Sequence, residues 1–234
     1  MSTIYTSGKY LEVTQTWHAE DSYWKASQIW KILSRNHVQP QRIAEIGCGV
    51  GAILRELSRM ESLSHTEFRG YDISPQAIGL AKQAEGEKIQ FYCEDLLSES
   101  NAAQFDVLIA IDVYEHVPDY IGFLEKCKQK AAYKVYHVPL DLHVSSVLRN
   151  TFMRSRYAVG HLHYFTADSA LATLTDTGHE IIDCFYTNPA LELFREHPSI
   201  RKAVANVPRY LCSKLSVPFT ARVLGGYSLL VLAK

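Results

Sequence analysis

The chain lacks the features that mark several large classes of protein. Its 234 residues contain 24 Lys and Arg against 25 Asp and Glu, and the basic residues form no run. This balance gives no electrostatic reason to expect a nucleic-acid partner. No stretch is long and apolar enough to span a membrane, and the first residues lack the apolar core of a signal peptide. We therefore expect neither a nucleic-acid nor a membrane partner.

Cysteine pairs, internal repeats and low-complexity tracts are also absent. The five cysteines are odd in number, and no two of them are arranged as Cys-x-x-Cys. A disulfide framework is therefore not expected, and reduced thiols fit a cytoplasmic protein. A length of 234 residues suits one domain with a full core. We expect residues 1–234 to form a single domain.

The most informative segment runs from Arg42 to Gly51. A short apolar strand leads into Gly47, Gly49 and Gly51, and a helical pattern starts at Ala52. Glycine has no Cβ and tolerates positive φ, so the backbone can approach a ligand closely. The first N–H groups of a helix have no partner within the helix and point toward whatever lies there. The segment predicts a site for a nucleotide-like cofactor.

The charge beside this turn separates two classes of cofactor. Gly47, Gly49 and Ala52 loosely match the G-x-G-x-x-G/A turn of dinucleotide-binding folds. Glu45 lies two residues before the first glycine, where a carboxylate repels a pyrophosphate but attracts a cationic sulfonium with an amino-acid tail. The charge favours the sulfonium, although a solvated Glu45 at a strand end remains open.

A second predicted strand, which begins at Phe68, ends at Asp72. In a βαβ unit, an acidic residue at the end of the second strand lies beside the ribose of an adenine nucleotide. The following helix has its own N-cap in Ser74, before Pro75 at the first helical position. Asp72 is thus predicted to be free to bind a ligand.

Two further strand ends carry acidic residues. The strand that begins at Ile89 leads to Glu94 and Asp95, and the strand that begins at Phe105 leads to Asp112. The second of these strands is apolar enough to be buried on both faces, as in a parallel sheet. Alternating strands and helices at this spacing predict an α/β protein with a doubly wound sheet.

Taken in order, the strand ends resemble the motifs of class I S-adenosylmethionine-dependent methyltransferases. The pattern E-x-G-x-G-x-G from Glu45 to Gly51 is similar to the first motif of that family, and residues 105–118 are similar to the fourth. The resemblance implies a Rossmann-like, seven-stranded sheet, mostly parallel with an antiparallel last strand, and a cofactor-binding core at residues 40–138. It implies S-adenosylmethionine as the cofactor, bound by Glu45, Gly47, Gly49, Gly51, Asp72, Ile73, Asp95, Leu96 and Asp112.

Within that site, the resemblance gives each end of the cofactor its own residues. Glu45 and the three glycines are implied to cradle the methionine part, and Asp72 to hold the ribose. Asp95, rather than Glu94, is implied to hold the adenine together with Leu96. Asp112 is implied to lie next to the amino-acid end of the cofactor or next to the acceptor.

An N-terminal helical lid is predicted over residues 1–38. Trp24, Ile29 and Leu33 recur at helical spacing, and Asp21 or Ser22 can cap this helix. The apolar stripe predicts packing beside the first strand. Residues at the entry to the helix are predicted to close over the pocket: Tyr10, Trp17, His18 and Tyr23.

Two insertions are predicted, over residues 139–165 and 188–222. The first follows the fifth strand at the edge where ligands bind in such sheets, and it is rich in His, Arg and Tyr, as suits an acceptor-binding lid. Alternation puts His161 and His163 on one side of a strand, but no acidic or cysteine ligand set accompanies them, so we expect no metal. The second insertion either covers the sheet or forms a homodimer surface, and the sequence does not choose.

These features predict an enzyme that transfers a methyl group to a small molecule, with a hydroxyl oxygen of a natural-product or saccharide-type acceptor favoured. A hydroxyl acceptor must lose its proton, which suits a histidine. His116, in the Glu-His-Val-Pro pattern of the family, is the first candidate base and His137 the second, with a structural role open for each. An N-methyltransferase, a protein methyltransferase and an NAD-binding oxidoreductase are the alternatives. The residues predicted to contact substrate are Tyr23, Tyr114, His161 and His163.

Overall fold

A mixed sheet brings the predicted ligand residues to one edge of the molecule. The computed structural model describes residues 19–194 and 200–234. Within these residues the strands are β1 Arg42–Ile46, β2 Glu67–Tyr71, β3 Ile89–Tyr92, β4 Phe105–Ile111, β5 Ala131–Pro139, β6 Ile181–Thr187 and β7 Ser228–Ala233.

The strand order confirms the predicted fold class. The sheet runs β3-β2-β1-β4-β5-β7-β6. The first five strands pair in parallel, whereas β7 lies antiparallel between β5 and β6. The order reverses between β1 and β4, and such a switch point is where a crevice for ligands opens in a doubly wound sheet.

Helices cover both faces of this sheet. In the described residues they are α1 Ser22–Arg35, α2 Ala52–Ser58, α3 Pro75–Ala81, α4 Tyr120–Lys128, α5 Val144–Arg149, α6 Thr151–Ala158, α7 Ala167–Asp176, α8 Pro189–Glu192, α9 Ile200–Leu215 and α10 Val217–Leu224. Short 3-10 helices lie at Ala19–Asp21, Glu61–Leu63, Lys82–Ala84 and Tyr114–His116.

The central strand β4 is buried on both faces, as its apolar sequence predicts. Leu108 belongs to the core cluster that also contains residues of α4 and α7. Val107 and Ile109 belong to the opposite cluster, with residues of α1 and α2. Because successive side chains of a strand point to opposite faces, a strand covered on both sides needs an unbroken apolar run.

Helix α1 packs against the sheet, as its apolar stripe predicts. Ile29 and Leu33 are fully buried and Trp24 is nearly so. Asp21 occupies the N-cap position but makes no capping hydrogen bond, and its carboxylate instead pairs with Lys25 at 3.2 Å. The predicted lid residues Tyr10, Trp17 and His18 lie outside the described residues.

Both predicted insertions are helical. The first contains α5 and α6, and the second contains α8, α9 and α10. Several apolar side chains of α9 are exposed, so the predicted homodimer surface stays a prediction: Val204, Val207, Tyr210, Leu211 and Leu215. Every helix in residues 19–194 and 200–234 is too short or too polar to cross a lipid bilayer.

A buried histidine gives the fold a predicted pH dependence. His179 is 3 % exposed, and its Nε2 lies 2.9 Å from the Tyr136 hydroxyl. Burial lowers the pKa of His179 to about 4, so the folded state keeps this ring neutral. Because the unfolded chain takes up a proton first, stability is full above the ordinary histidine pKa and falls as the pH drops toward 4.

We expect the lowered pKa of His179 to make the free energy of unfolding about 2 kcal/mol lower at pH 5 than at pH 8. Urea unfolding at the two pH values measures the change. His179→Gln is expected to remove most of the difference, whereas the exposed control His65→Gln keeps it. An equal pH dependence in His179→Gln and in the wild type would contradict the assignment.

Candidate active site

A cavity of about 710 Å³ lies at the carboxyl ends of β1, β2, β4 and β5. Its walls come from these strand ends, the start of α1 and the segment around His161. Of the nine residues predicted to bind the cofactor, eight line this cavity. The topology therefore brings together side chains that are far apart in the sequence.

Gly51, the ninth, serves packing rather than ligand approach. Its φ is +73°, and a Cβ there would lie 2.3 Å from the Phe91 ring. Gly47 does line the cavity with φ at +69°, and a Cβ there would lie 2.8 Å from a methyl of Val113. Gly51 is not among the residues that line the cavity, and its contact with the cofactor stays a prediction.

Asp72 joins the glycine turn to the second strand. Its Oδ2 accepts a hydrogen bond from the Gly49 N–H at 2.9 Å, and its Oδ1 accepts one from the Ser74 N–H at 2.8 Å. Burial raises the pKa of Asp72, and these backbone donors oppose that rise. Ser74 caps α3 as predicted, but Asp72 is not wholly free, since each oxygen already accepts one hydrogen bond.

Glu45 carries a buried carboxylate at the wall of the cavity. The residue is 2 % exposed, and its Oε2 has no hydrogen-bond partner among the described residues. Burial raises the pKa of Glu45 well above its usual range, and the nearby Lys25 opposes this rise. The alternative of a solvated strand-end residue is therefore wrong. A cationic group bound in the cavity would stabilise the ionised form.

Asp95 and Leu96 lie where β3 ends. Asp95 is exposed, and its Oδ1 accepts a hydrogen bond from the Leu97 N–H at 2.9 Å. Leu96 is fully buried beside it, and both residues line the cavity. A carboxylate next to an apolar side chain suits a planar heterocycle that carries an amino group.

Asp112 is the centre of a charged network. Its Oδ1 lies 2.7 Å from His137 Nδ1, and its Oδ2 lies 3.0 Å from Lys25 Nζ. Burial acts to raise the pKa of Asp112, but Lys25 and His137 outweigh it, so the pKa lies well below its usual range. Its backbone φ is +54°, which is uncommon for a residue with a side chain and is found at functional sites.

Lys25 is a cavity residue that the sequence did not reveal. Burial acts to lower its pKa, but Asp112 and Asp21 outweigh this effect and raise it. The lysine therefore stays charged within hydrogen-bond distance of Asp112. Its position on α1 carries no motif, and only the packing of α1 against the sheet edge brings it to the site.

His137 is held by hydrogen bonds on both ring nitrogens. Nδ1 faces Asp112, and Nε2 lies 2.9 Å from the Thr187 hydroxyl. Because the Asp112 carboxylate only accepts, Nδ1 carries the proton. Nε2 shares a hydrogen bond with the Thr187 hydroxyl, which also lies 3.4 Å from the Ser228 carbonyl oxygen. Both ring nitrogens therefore have partners, and the role of His137 as a base stays a prediction.

His116 and His161 face each other on another part of the cavity wall. Their ring centroids are 4.8 Å apart at an angle of 75°. His116 Nε2 lies 3.9 Å from an oxygen of Glu115, which is fully buried. His161 Nδ1 lies 2.6 Å from Asp141 Oδ2. Two imidazoles and a carboxylate thus meet at one point of the site.

Three residues predicted to contact substrate lie elsewhere. Tyr23 is 71 % exposed on α1, and Tyr114 is buried in the core against Phe165. His163 lies in an irregular segment, and its Nε2 bonds the Val117 carbonyl at 3.0 Å. None of the three lines the cavity, and their contact with substrate stays a prediction.

Comparison with known sequences agrees with this geometry. A family model described as a methyltransferase domain matches residues 18–183. The chain is 30% identical over 122 residues to a ubiquinone biosynthesis O-methyltransferase of Paraburkholderia phymatum, covering 49% of this chain and 51% of the relative. It is 32% identical over 92 residues to the enzyme of the same name from Cereibacter sphaeroides, covering 38% and 36%. The chain thus spans about half the length of the curated relatives it matches, or less.

Solved structures share the fold. Magnesium protoporphyrin IX methyltransferase from Synechocystis, with bound S-adenosylhomocysteine, superposes with a TM-score of 0.58 at 18% identity, over 90% of this chain and 82% of that one. An N-methyltransferase from Bradyrhizobium japonicum, also with S-adenosylhomocysteine, gives a TM-score of 0.56 at 17% identity, over 89% and 84%.

Proposed function

We propose that this chain transfers a methyl group from S-adenosylmethionine to a hydroxyl oxygen of a small molecule. The premise is that the chain belongs to the family of methyltransferase domains. The observation that carries the proposal is the buried Glu45 carboxylate on the cavity wall, with one oxygen unpartnered among the described residues. A buried carboxylate without a partner is costly, and a cationic ligand beside it removes that cost. The donor is cationic at its sulfur and at its amine.

The residues of the cavity fit the parts of this cofactor. Glu45 and the Gly47 turn would hold the methionine part, Asp72 the ribose, and Asp95 with Leu96 the adenine. The lone pairs left on the Asp72 carboxylate can accept from ribose hydroxyls. When bound, the cofactor supplies an electrophilic methyl group that a nucleophile displaces from sulfur in line.

The charge of the cavity disfavours a dinucleotide. Glu45, Asp72 and Asp112 all line it, and Lys25 faces Asp112 at 3.0 Å. These carboxylates would repel a pyrophosphate, which dinucleotide-binding folds instead place at the positive N-terminal end of a helix dipole. This supports the sulfonium cofactor over the alternative of an NAD-binding oxidoreductase.

The walls beyond Asp112 favour an apolar, aromatic acceptor. Val117, Pro118, Phe123 and Val159 line this part of the cavity. Apolar walls with a few convergent polar groups suit an aromatic ring with a hydroxyl better than a saccharide. The name of the matched relatives, O-methyltransferases of ubiquinone biosynthesis, supports a natural-product acceptor over a saccharide.

His116 is the group that we propose to receive the acceptor proton. It lines the cavity beside His161, at 4.8 Å between the two ring centroids. Histidine suits a general base at physiological pH, because its ordinary pKa lies close to that pH. An amine acceptor would need no such base.

Cofactor binding tests the proposal. Titration calorimetry is expected to show S-adenosylhomocysteine binding in the micromolar range or tighter, and no binding of NAD. Asp72→Asn is expected to weaken that binding about 10-fold or more, because it removes a charged hydrogen-bond acceptor. The control Asp176→Asn, at an exposed helix end, leaves the affinity unchanged. NAD binding with no S-adenosylhomocysteine binding would contradict the proposal.

Methyl transfer to oxygen is tested separately. Radiolabelled S-adenosylmethionine is incubated with a catechol, with the matching aniline and with a hexose, each at equal concentration. We expect label in the catechol product alone. Label in the aniline product would favour an N-methyltransferase, and label in the hexose would favour a saccharide acceptor.

A further inference from the structure

We propose that the exposed side of helices α5, α6, α9 and α10, which we call the insertion face, binds the surface of a membrane that contains anionic lipids. The two insertions form one continuous region, because α10 packs against both α5 and α9. Val159 and Pro189, one from each insertion, also line the cavity, so the face adjoins the site. Adsorption to lipid requires no turnover, so this face stands independently of the proposed methyl transfer.

Helix α9 carries an apolar stripe on its solvent side. Val204, Val207, Leu211 and Leu215 follow one another at intervals of three or four residues, which places them along one side of a helix. All four are exposed, and Leu215 is 90% exposed. The surface helix of a globular domain normally turns such a stripe toward the core. An apolar stripe that faces outward marks a surface for interaction.

Polar contacts hold α9 in this orientation. Asn206 is buried, and its Nδ2 donates to the Ala190 carbonyl at 2.6 Å. Arg209 Nε donates to the Gly225 carbonyl at 2.6 Å. Both side chains lie on the side of α9 away from the apolar stripe, because they are offset by about half a turn from it. These bonds fix the rotation of α9 about its axis and keep the stripe on the outside.

The first insertion also exposes apolar side chains. Leu148 on α5 is 82% exposed, and Tyr157 on α6 is 78% exposed. Val147 on α5 and Phe219 on α10 are exposed as well. Tyrosine suits the boundary between lipid and water, because its ring is apolar and its hydroxyl is polar. The apolar exposure therefore extends over both insertions.

The insertions are also the basic part of the chain. Residues 142–167 contain three Lys or Arg and residues 197–224 contain five, and neither stretch contains Asp or Glu. Arg154 and Arg156 on α6 and Lys214 on α9 are exposed. All 25 acidic residues lie outside these two stretches. The near-zero net charge of the chain therefore hides a strong local excess of positive charge.

This charge selects the occupant of the insertion face. An anionic lipid surface attracts exposed Lys and Arg, while the apolar side chains among them enter the headgroup region. In a symmetric dimer the same face of each copy meets the other, so basic residues would lie against basic residues. Like charges placed together oppose association. Charge complementarity therefore favours an anionic membrane over a second copy of the chain.

A face of this kind needs no spanning helix. The expectation of no membrane partner rested on the lack of a long apolar segment and on the balanced total charge. Neither criterion detects an interfacial helix, because such a helix is apolar on one side only and its basic residues can be balanced elsewhere in the chain. The outward stripe of α9 revises that expectation.

Flotation of the purified full chain, free of an affinity tag, with lipid vesicles tests this face. Vesicles of phosphatidylcholine alone are compared with vesicles of phosphatidylcholine and phosphatidylglycerol, at low and at high salt. The apolar variant is Leu211→Ser with Leu215→Ser, and the charge variant is Arg154→Glu with Arg156→Glu. Circular dichroism and urea unfolding establish that each variant is folded.

The matched controls lie outside the insertions. Leu80 on α3 is exposed and apolar, and Lys82 beside it is exposed and basic. Leu80→Ser and Lys82→Glu therefore make the same kinds of change on a different surface. Both are expected to bind vesicles as the wild type does.

We expect the wild type to bind the vesicles with phosphatidylglycerol at least 10-fold more tightly than those of phosphatidylcholine alone. High salt is expected to remove most of this difference, because it screens exposed charges. The apolar and the charge variant are each expected to weaken binding to the anionic vesicles about 10-fold or more. Equal wild-type affinity for the two kinds of vesicle, or unchanged binding in both variants, would overturn the proposal.

Analytical ultracentrifugation without lipid tests the other occupant. We expect the wild type to sediment as a monomer. A wild-type dimer that Leu211→Ser with Leu215→Ser converts to a monomer, together with no binding to vesicles, would assign the face to a second copy and overturn the membrane surface. Neither readout uses the cofactor or the acceptor, so a failure of the proposed methyl transfer is seen separately.

Discussion

His116→Ala is expected to lower turnover of a hydroxyl acceptor by about 100-fold or more, as removal of a group that handles a proton in the transition state does. The ring lies on the cavity wall beside His161, at the point where an acceptor would enter. We assign the cofactor to Glu45, Asp72 and Asp95 rather than to His116, so affinity for S-adenosylhomocysteine should change little. Steady-state kinetics and calorimetry measure the two quantities.

The comparison with His161→Ala shows how His116 acts. If His116 works alone as a base, loss of the His161 ring should cost little turnover. If the two rings act together on the acceptor, the two variants should lose similar amounts of turnover. Turnover of His116→Ala equal to that of the wild type, with His65→Ala as control, would remove His116 from the mechanism altogether.

Lys25→Met is expected to destabilise the fold by about 1–2 kcal/mol, because it removes the ammonium partner of Asp112 and leaves this partly exposed carboxylate with its hydrogen bond to His137. Lys25 Nζ lies 3.0 Å from Asp112 and 3.2 Å from Asp21, and its side chain is 12% exposed. Urea unfolding at pH 7 measures the loss. Methionine keeps the length of the side chain and removes only the charge.

The sign of the pH dependence follows from the same pair. The pKa of Asp112 is held below its usual range, so its contribution to stability is present above the ordinary aspartate pKa and is lost as the pH falls. Without Lys25 that pKa rises, so the cost of Lys25→Met should shrink in acid. The double variant Lys25→Met with Asp112→Asn should recover much of the loss. Costs that simply add would contradict direct coupling.

The fold was readable because its signals are local. The apolar run from Phe105 predicted a strand covered on both faces, and the helices on either side of β4 confirm this. The order of strand, turn and helix predicted the doubly wound sheet, and the family resemblance implied its antiparallel last strand, as found. Each of these features depends on residues that are close together in the sequence. Their backbone preferences and apolar periodicity can therefore be inferred from the sequence alone.

The differences between the predicted and the observed side-chain directions at the site have a common origin. Tyr114 follows β4 in the sequence as closely as His116 does, yet its ring turns into the core while His116 lines the cavity. His161 and His163 were expected to share one side of a strand, but the segment is irregular and the two rings take different partners. The direction of a side chain in a loop is set by packing, and spacing does not encode it.

The sequence by itself determined the sheet, the glycine turn, and the acidic residues at the strand ends that line the cavity, because strand direction and turn geometry are local properties of the backbone. Only the tertiary structure decided that Lys25 reaches Asp112, that His137 has no free nitrogen, and that Glu115 meets His161. These contacts join residues that are distant along the chain. Their distances and burial, and therefore the charge that each side chain carries, exist only once the elements have packed.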